Sequence, residues 1–131
     1  MAKFKLASEK GLLICHVKIS GKGKPVLMKM AIDTGTTITI VPYEAVLSIG
    51  LVPENSNRTI EVTTGSGSVT RPIVTIPKFS CFGFTIRDLD VICHNLPSES
   101  PVEGLLCLNF LKTFKLILDF PKNTIQIVKK K

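Results

Sequence analysis

Met30-Ala31-Ile32-Asp33-Thr34-Gly35-Thr36-Thr37 carries an apolar strand straight into a carboxylate, followed by hydroxyl residues around a glycine. The glycine lets the chain turn sharply and brings a backbone amide close to the acid. The hydroxyls can donate hydrogen bonds to it. Residue types in this order hold a carboxylate in one orientation instead of leaving it to solvent. A plainer reading makes Asp33 the start of an Asx-type turn. Upstream, Val26 to Ile32 is apolar except for Lys29, as a core strand is.

About thirty residues further on stands Glu61-Val62-Thr63-Thr64-Gly65-Ser66-Gly67-Ser68-Val69. Two strand-like runs, Arg58 to Thr63 and Ser68 to Ile76, meet there at a glycine-rich tip. Such a hairpin can close over an extended ligand. It is not a phosphate-binding loop, because no Gly-Lys-Ser/Thr ending follows. Next comes Val102-Glu103-Gly104-Leu105-Leu106-Cys107-Leu108-Asn109-Phe110-Leu111. Apolar positions at helical spacing predict a short helix over Glu103 to Phe114. A closing hairpin follows, Leu116 to Phe120 and Thr124 to Val128 around Pro121-Lys122-Asn123. Gly11 to Ser20 and Val26 to Ile32 form a first hairpin over a Gly/Lys/Pro turn. Thr36 to Val41 and Phe84 to Cys93 read as strands. Pro42 to Ser48 reads as a helix with proline in its first turn. Short strands at this spacing predict a small all-β barrel or sandwich. No linker or repeat divides residues 1–131, which are expected to form a single domain.

Composition narrows the class. The chain has 131 residues and a formal net charge of +7, with 44% hydrophobic and 21% charged residues. That is ordinary globular usage and excludes a disordered or collagen-like chain. No apolar run reaches the ~20 residues of a membrane span, and the first ten residues lack a signal-peptide core. A soluble, cytoplasmic domain, or a soluble piece of something larger, is expected. The charge is uneven: residues 1–32 carry +6, residues 33–111 carry −4 and residues 112–131 carry +5. With no Trp, one Tyr and few Arg, the combination of clustered basic and aromatic residues that marks a nucleic-acid surface is not seen. The lysines read as solvated ends and edge-strand protection, with 1–10 and 129–131 as candidates for fraying.

Cys15, Cys81, Cys93 and Cys107 make no C-x-x-C pair. In Cys15-His16 and Cys93-His94 the neighbours point to opposite faces of a strand, which does not suit a zinc site. Buried free thiols are the better reading, and no metal is expected.

The ordered set Ile32-Asp33-Thr34-Gly35-Thr36-Thr37, Thr63-Thr64-Gly65-Ser66-Gly67 and Gly104-Leu105-Leu106-Cys107-Leu108-Asn109-Phe110-Leu111 resembles the retropepsin-like aspartic proteases. These are single-domain relatives of pepsin. The resemblance spans most of the chain and implies a small closed barrel-like domain with one short C-terminal helix. It implies Asp33 as the catalytic carboxylate and Gly35 as donor of a backbone amide to it. Thr36 would be a hydroxyl donor to its outer oxygen, and Thr34 a bridge to a partner chain. Thr63, Thr64, Gly65, Ser66 and Gly67 would be the flap, and Ile32, Ile38, Val62 and Leu105 cleft walls. Cys107 places a side chain where the family usually has glycine.

One acid cannot be base and acid at the same instant, and the sequence holds a single D-T-G. The resemblance therefore implies a homodimer with Asp33 opposite its own copy. Carboxylates about 3 Å apart share one proton. The implied reaction is hydrolysis of an extended polypeptide, with no cofactor and with an acidic optimum. A second reading keeps the fold but makes it a catalytically weak or inactive peptide-binding or dimerisation module. Cys107 and the basic ends favour that reading.

Overall fold

The structure is a computed structural model and describes residues 2–129. Its centre is a ring of six strands. β3 (Leu12–Ser20) and β4 (Val26–Ile32) form an antiparallel hairpin. β4 pairs in parallel with β9 (Gly104–Leu106), and β9 meets β5 (Ile40–Val41) at one antiparallel pair. β5 runs parallel to β8 (Phe84–Cys93). β8 is antiparallel to the long β7 (Gly67–Cys81), which returns to β3 through Lys18–Ser80, Ile19–Phe79 and Ser20–Lys78. The closure leaves these strands with few free edges. β2 (Ala7–Glu9) hangs on β3, and β6 (Thr59–Thr64) extends β7 into a hairpin beyond the ring.

Alternation of side chains builds the interior. Along β3, Val17 and Ile19 are buried while His16 and Lys18 face out. Met28 and Met30 of β4 and Ile76 and Phe79 of β7 point into the same core. Helix α2 (Leu108–Leu111) is a single turn after β9, and its Phe110 closes the core between Phe79 (5.4 Å between ring centres) and Phe114 (5.2 Å). Burying one such phenyl ring stabilises the fold by roughly 2–3 kcal/mol. Helix α1 (Tyr43–Ser48) packs Ala45 and Val46 against the ring. Ile14 and Ala31 lie on the other face of their strands and are covered by Val102, Leu96 and Leu105.

Three expectations change. The stretch Glu103 to Phe114 is helical only over Leu108–Leu111, because Gly104–Leu106 is β9, wedged between β4 and β5. Gly104 permits this: a Cβ there would stand 2.3 Å from the Ile40 carbonyl oxygen. Only Ile40–Val41 of the predicted strand Thr36 to Val41 pairs in a sheet. The third concerns the ends. The basic stretch 1–10 supplies β1 (Ala2–Lys5) as well as β2, with Leu6 buried after it. β1 pairs with β11 (Thr124–Lys129), and β11 pairs with β10 (Phe114–Asp119), giving a separate three-stranded sheet. Phe4 stacks on Phe82 at 5.3 Å, which anchors that sheet to the ring. Of the C-terminal lysines, Lys130 and Lys131 lie outside the described residues.

Candidate active site

Asp33 follows directly on β4. Its N–H donates to the Leu106 carbonyl at 2.9 Å, which ties the turn to the end of β9. Both carboxylate oxygens have a donor. Gly35 N–H reaches Oδ1 at 2.9 Å, and the Thr36 hydroxyl reaches Oδ2 at 3.0 Å. A Cβ on Gly35 would lie 3.2 Å from Oδ1, so this close amide approach suits glycine. The carboxylate is half-buried, and Thr34 beside it is exposed.

The loop carrying these residues rests on α2. Leu108 N–H donates to the Thr36 carbonyl at 3.1 Å and Asn109 N–H to that of Thr37 at 2.9 Å. Asn109 then binds inward. Its Oδ1 accepts from the Thr39 amide (2.9 Å) and hydroxyl (2.8 Å), and its Nδ2 donates to the Asp90 carbonyl (2.7 Å). Thr39 is fully buried and also accepts from the Cys107 amide at 3.1 Å. This network was absent from the sequence reading. Its one visible signal is a lone amide in the apolar run Leu105 to Leu111.

Asp90 links the site to the flap. Its carboxylate takes two bonds from Arg58, at 2.9 and 2.8 Å, and one from the Thr75 hydroxyl at 2.8 Å. The Arg58 guanidinium holds the Asp90 carboxyl below the usual carboxylate range, and the Thr75 bond adds to this. Arg58 immediately precedes β6, so the pair clamps the base of the flap to β8.

The predicted flap is the β6–β7 hairpin, with Thr64 opposite Gly67 and a two-residue loop, Gly65-Ser66. The Thr64 hydroxyl donates to the Gly67 carbonyl at 2.8 Å and accepts from the Ser66 amide at 3.2 Å. Gly67 has φ +120°, in the region that favours glycine. Gly65, Ser66 and Gly67 are all exposed. Between the hairpin and the Asp33 loop lies a cavity of about 590 Å³. It is bordered by Thr36, Thr37 and Ile38 from the loop and by Val62, Thr63 and Thr64 from the hairpin. Leu105, Ile92 and His94 also line it, together with Ile40, Ile60, Glu61 and Leu96. Of the predicted cleft residues, Ile38, Val62 and Leu105 line it. Ile32 does not: it is half-buried and packs on the main core. A second cavity of about 530 Å³ lies under residues 95–103, shares Leu96 with the first and includes no residue of the hairpin. Asp33 lines neither cavity itself, and of the predicted flap residues Thr63 and Thr64 line the first while Gly65, Ser66 and Gly67 do not.

All four cysteines are buried free thiols. Cys107 is accommodated without disruption. Its thiol donates to the Leu105 carbonyl at 3.4 Å, and no buried side-chain polar atom among the described residues lacks a partner. Burial, and then the charge of Asp33, pushes the Cys107 thiol up to about 12. Burial and Glu54 do the same to Cys93, also to about 12. An unfolded thiol ionises near about 8.5. Above that pH the unfolded chain loses protons that the folded chain retains. Stability from these thiols is therefore complete below about 8.5 and is lost as pH rises towards 12. Denaturant titrations at about pH 8 and 10 are expected to show this loss, and Cys107→Ala is expected to reduce it. A flat profile would contradict the burial of both thiols.

An aspartyl protease family model matches residues 15–110, from within β3 to within α2. The match takes in the ring, the Asp33 loop and the flap, and leaves the terminal sheet outside. No curated protein matches the sequence. A solved structure of a retropepsin-like aspartic protease from Rickettsia conorii superposes with a TM-score of 0.72. It is 16% identical, and the alignment covers 96% of this chain and 89% of that one. At that identity the likeness is one of fold, and it extends the retropepsin-like architecture over almost the whole chain. On the strength of the family match across the ring and the site, the chain belongs to the aspartyl protease family, with a retropepsin-like fold.

Proposed function

We propose that the chain is an aspartic endopeptidase that works as a homodimer, each subunit supplying Asp33. The observation that carries this reading is a half-buried carboxylate with one donor on each oxygen, set on a loop that borders the cleft beneath a hairpin flap. A carboxylate so oriented can take a proton from a water aimed at a peptide carbonyl. A second carboxylate has to polarise that carbonyl and protonate the departing nitrogen. The chain holds one such loop, so the second comes from a symmetry-related copy. The two acids then titrate as one unit holding a shared proton.

Thr34 is exposed beside Asp33 and free to face that copy. β11 has β1 on one edge and β10 on the other. The second copy therefore docks without adding a strand to β11. A polypeptide would lie extended under the flap, held by main-chain bonds with side chains in the cleft.

The test combines sedimentation with cleavage of a denatured protein between about pH 3 and 7. The expected result is a particle of two chains whose activity per chain rises with protein concentration. A statine-type mimic, which places a hydroxyl where the tetrahedral carbon forms, should block it. A strictly monomeric particle that still hydrolyses peptide bonds would refute the shared site.

A further inference from the structure

Behind His94, at the far end of the flap cavity, stands an arginine that takes part in neither of the ion pairs among the described residues. In the β6–β7 register Arg71 lies opposite Ile60, and paired residues of an antiparallel ladder share a face. Ile60 and His94 line the cavity, and Arg71 stands behind His94 without lining it directly. Its Nε donates to His94 Nδ1 at 3.0 Å, and its Nη1 donates to the Thr70 carbonyl at 3.1 Å. The side chain is half-buried. The two ion pairs among the described residues, Lys29–Glu9 and Arg58–Asp90, lie elsewhere. Glu61 also borders the cavity from the exposed face of β6, and it forms no ion pair with Arg71.

His94 is bent to the same purpose. Because Nδ1 accepts from Arg71, the neutral ring carries its proton on Nε2. Burial, and then the Arg71 charge, pulls the imidazole below its usual range, which favours the neutral ring. His94 lines the cavity and is anchored by its amide to the Val41 carbonyl at 3.0 Å. The cavity thus runs between apolar walls, Ile38, Val62, Ile92 and Leu105, towards a cation and a neutral N–H donor.

We infer that this pocket selects an acidic substrate side chain, glutamate above all, whose carboxylate pairs with Arg71 beside His94. The methylenes of glutamate suit the walls, and a guanidinium binds carboxylates with strong, directional bonds. The inference rests on the peptide-cleft reading and names the substrate class for that same site.

The test uses matched peptides carrying Glu, Gln, Leu or Lys in turn at each of three positions on either side of the cut. Cleavage is measured with the intact protein and affinity with Asp33→Asn, so that binding is read even where chemistry is absent. Glu is expected to exceed Leu about tenfold at one position. Arg71→Gln should remove that ratio and Arg71→Glu should turn it towards Lys, which a structural role for Arg71 would not do. Cleavage without a Glu preference overturns this inference and leaves the protease reading standing. Glu-selective binding without cleavage does the reverse. A ratio that survives Arg71→Glu also overturns it.

Discussion

Asp33→Asn is expected to lower peptide hydrolysis by at least about a thousandfold, because no other group of the Asp33 loop can take the proton from water. Asparagine has nearly the shape of aspartate. Its carbonyl can still accept the Gly35 amide, and its NH₂ can donate to the Thr36 hydroxyl, which turns to accept. Folding should therefore change by less than about 1 kcal/mol. Circular dichroism melts and kcat/KM together separate a chemical loss from a collapsed fold. Mixing sharpens the test. A heterodimer of wild type and variant keeps one carboxylate and cannot run acid and base together. Excess variant should therefore silence the wild-type chain. Full activity in Asp33→Asn would remove Asp33 from the mechanism, and additive activity in mixtures would remove the partner.

Asn109→Leu should be the most damaging single change outside the Asp33 loop. It strands the Thr39 amide, the Thr39 hydroxyl and the Asp90 carbonyl, which have Asn109 as their shared partner. Thr39 is fully buried, so water cannot take over freely. Each stranded group costs about 1–3 kcal/mol, and neighbours do not add fully. A total near 4 kcal/mol follows, lowering Tm by roughly 10–20 °C in a domain of this size. Because α2 also holds the Thr36 and Thr37 carbonyls, cleavage should fall even well below the melting temperature. Thr39→Val combined with Asn109→Leu should cost less than the sum of the two, since both remove the same bonds. Additive costs, or a loss under about 1 kcal/mol, would show the network is not what supports the loop.

The strands Val26–Ile32 and Phe84–Cys93 were legible to the residue, because their β-branched and apolar runs end at turn-forming residues. The D-T-G loop and the flap tip were legible for a similar reason. Carboxylate, glycine and hydroxyl lie within four positions, so local chemistry writes them. β9 was not legible. Gly104-Leu105-Leu106 pairs with strands more than sixty positions away, and three apolar residues have no period of their own. Asn109 escaped for the same reason, since its partners Thr39 and Asp90 are remote in sequence. β1 was hidden by lysines, which on an edge strand guard against pairing as readily as they mark a solvated end.

From the sequence alone came a single-carboxylate loop, a glycine-tipped hairpin and an all-β barrel in a retropepsin-like order, since each is spelled by residues near one another in the chain. The tertiary structure decided how the ring closes and how β11 comes to lie between β1 and β10. It also set Asn109 as the prop of the Asp33 loop and brought Arg71 against His94 at the cleft's end. Those are meetings of distant residues. Which distant groups meet is decided by the packing of the whole core, and no short stretch of residues encodes it.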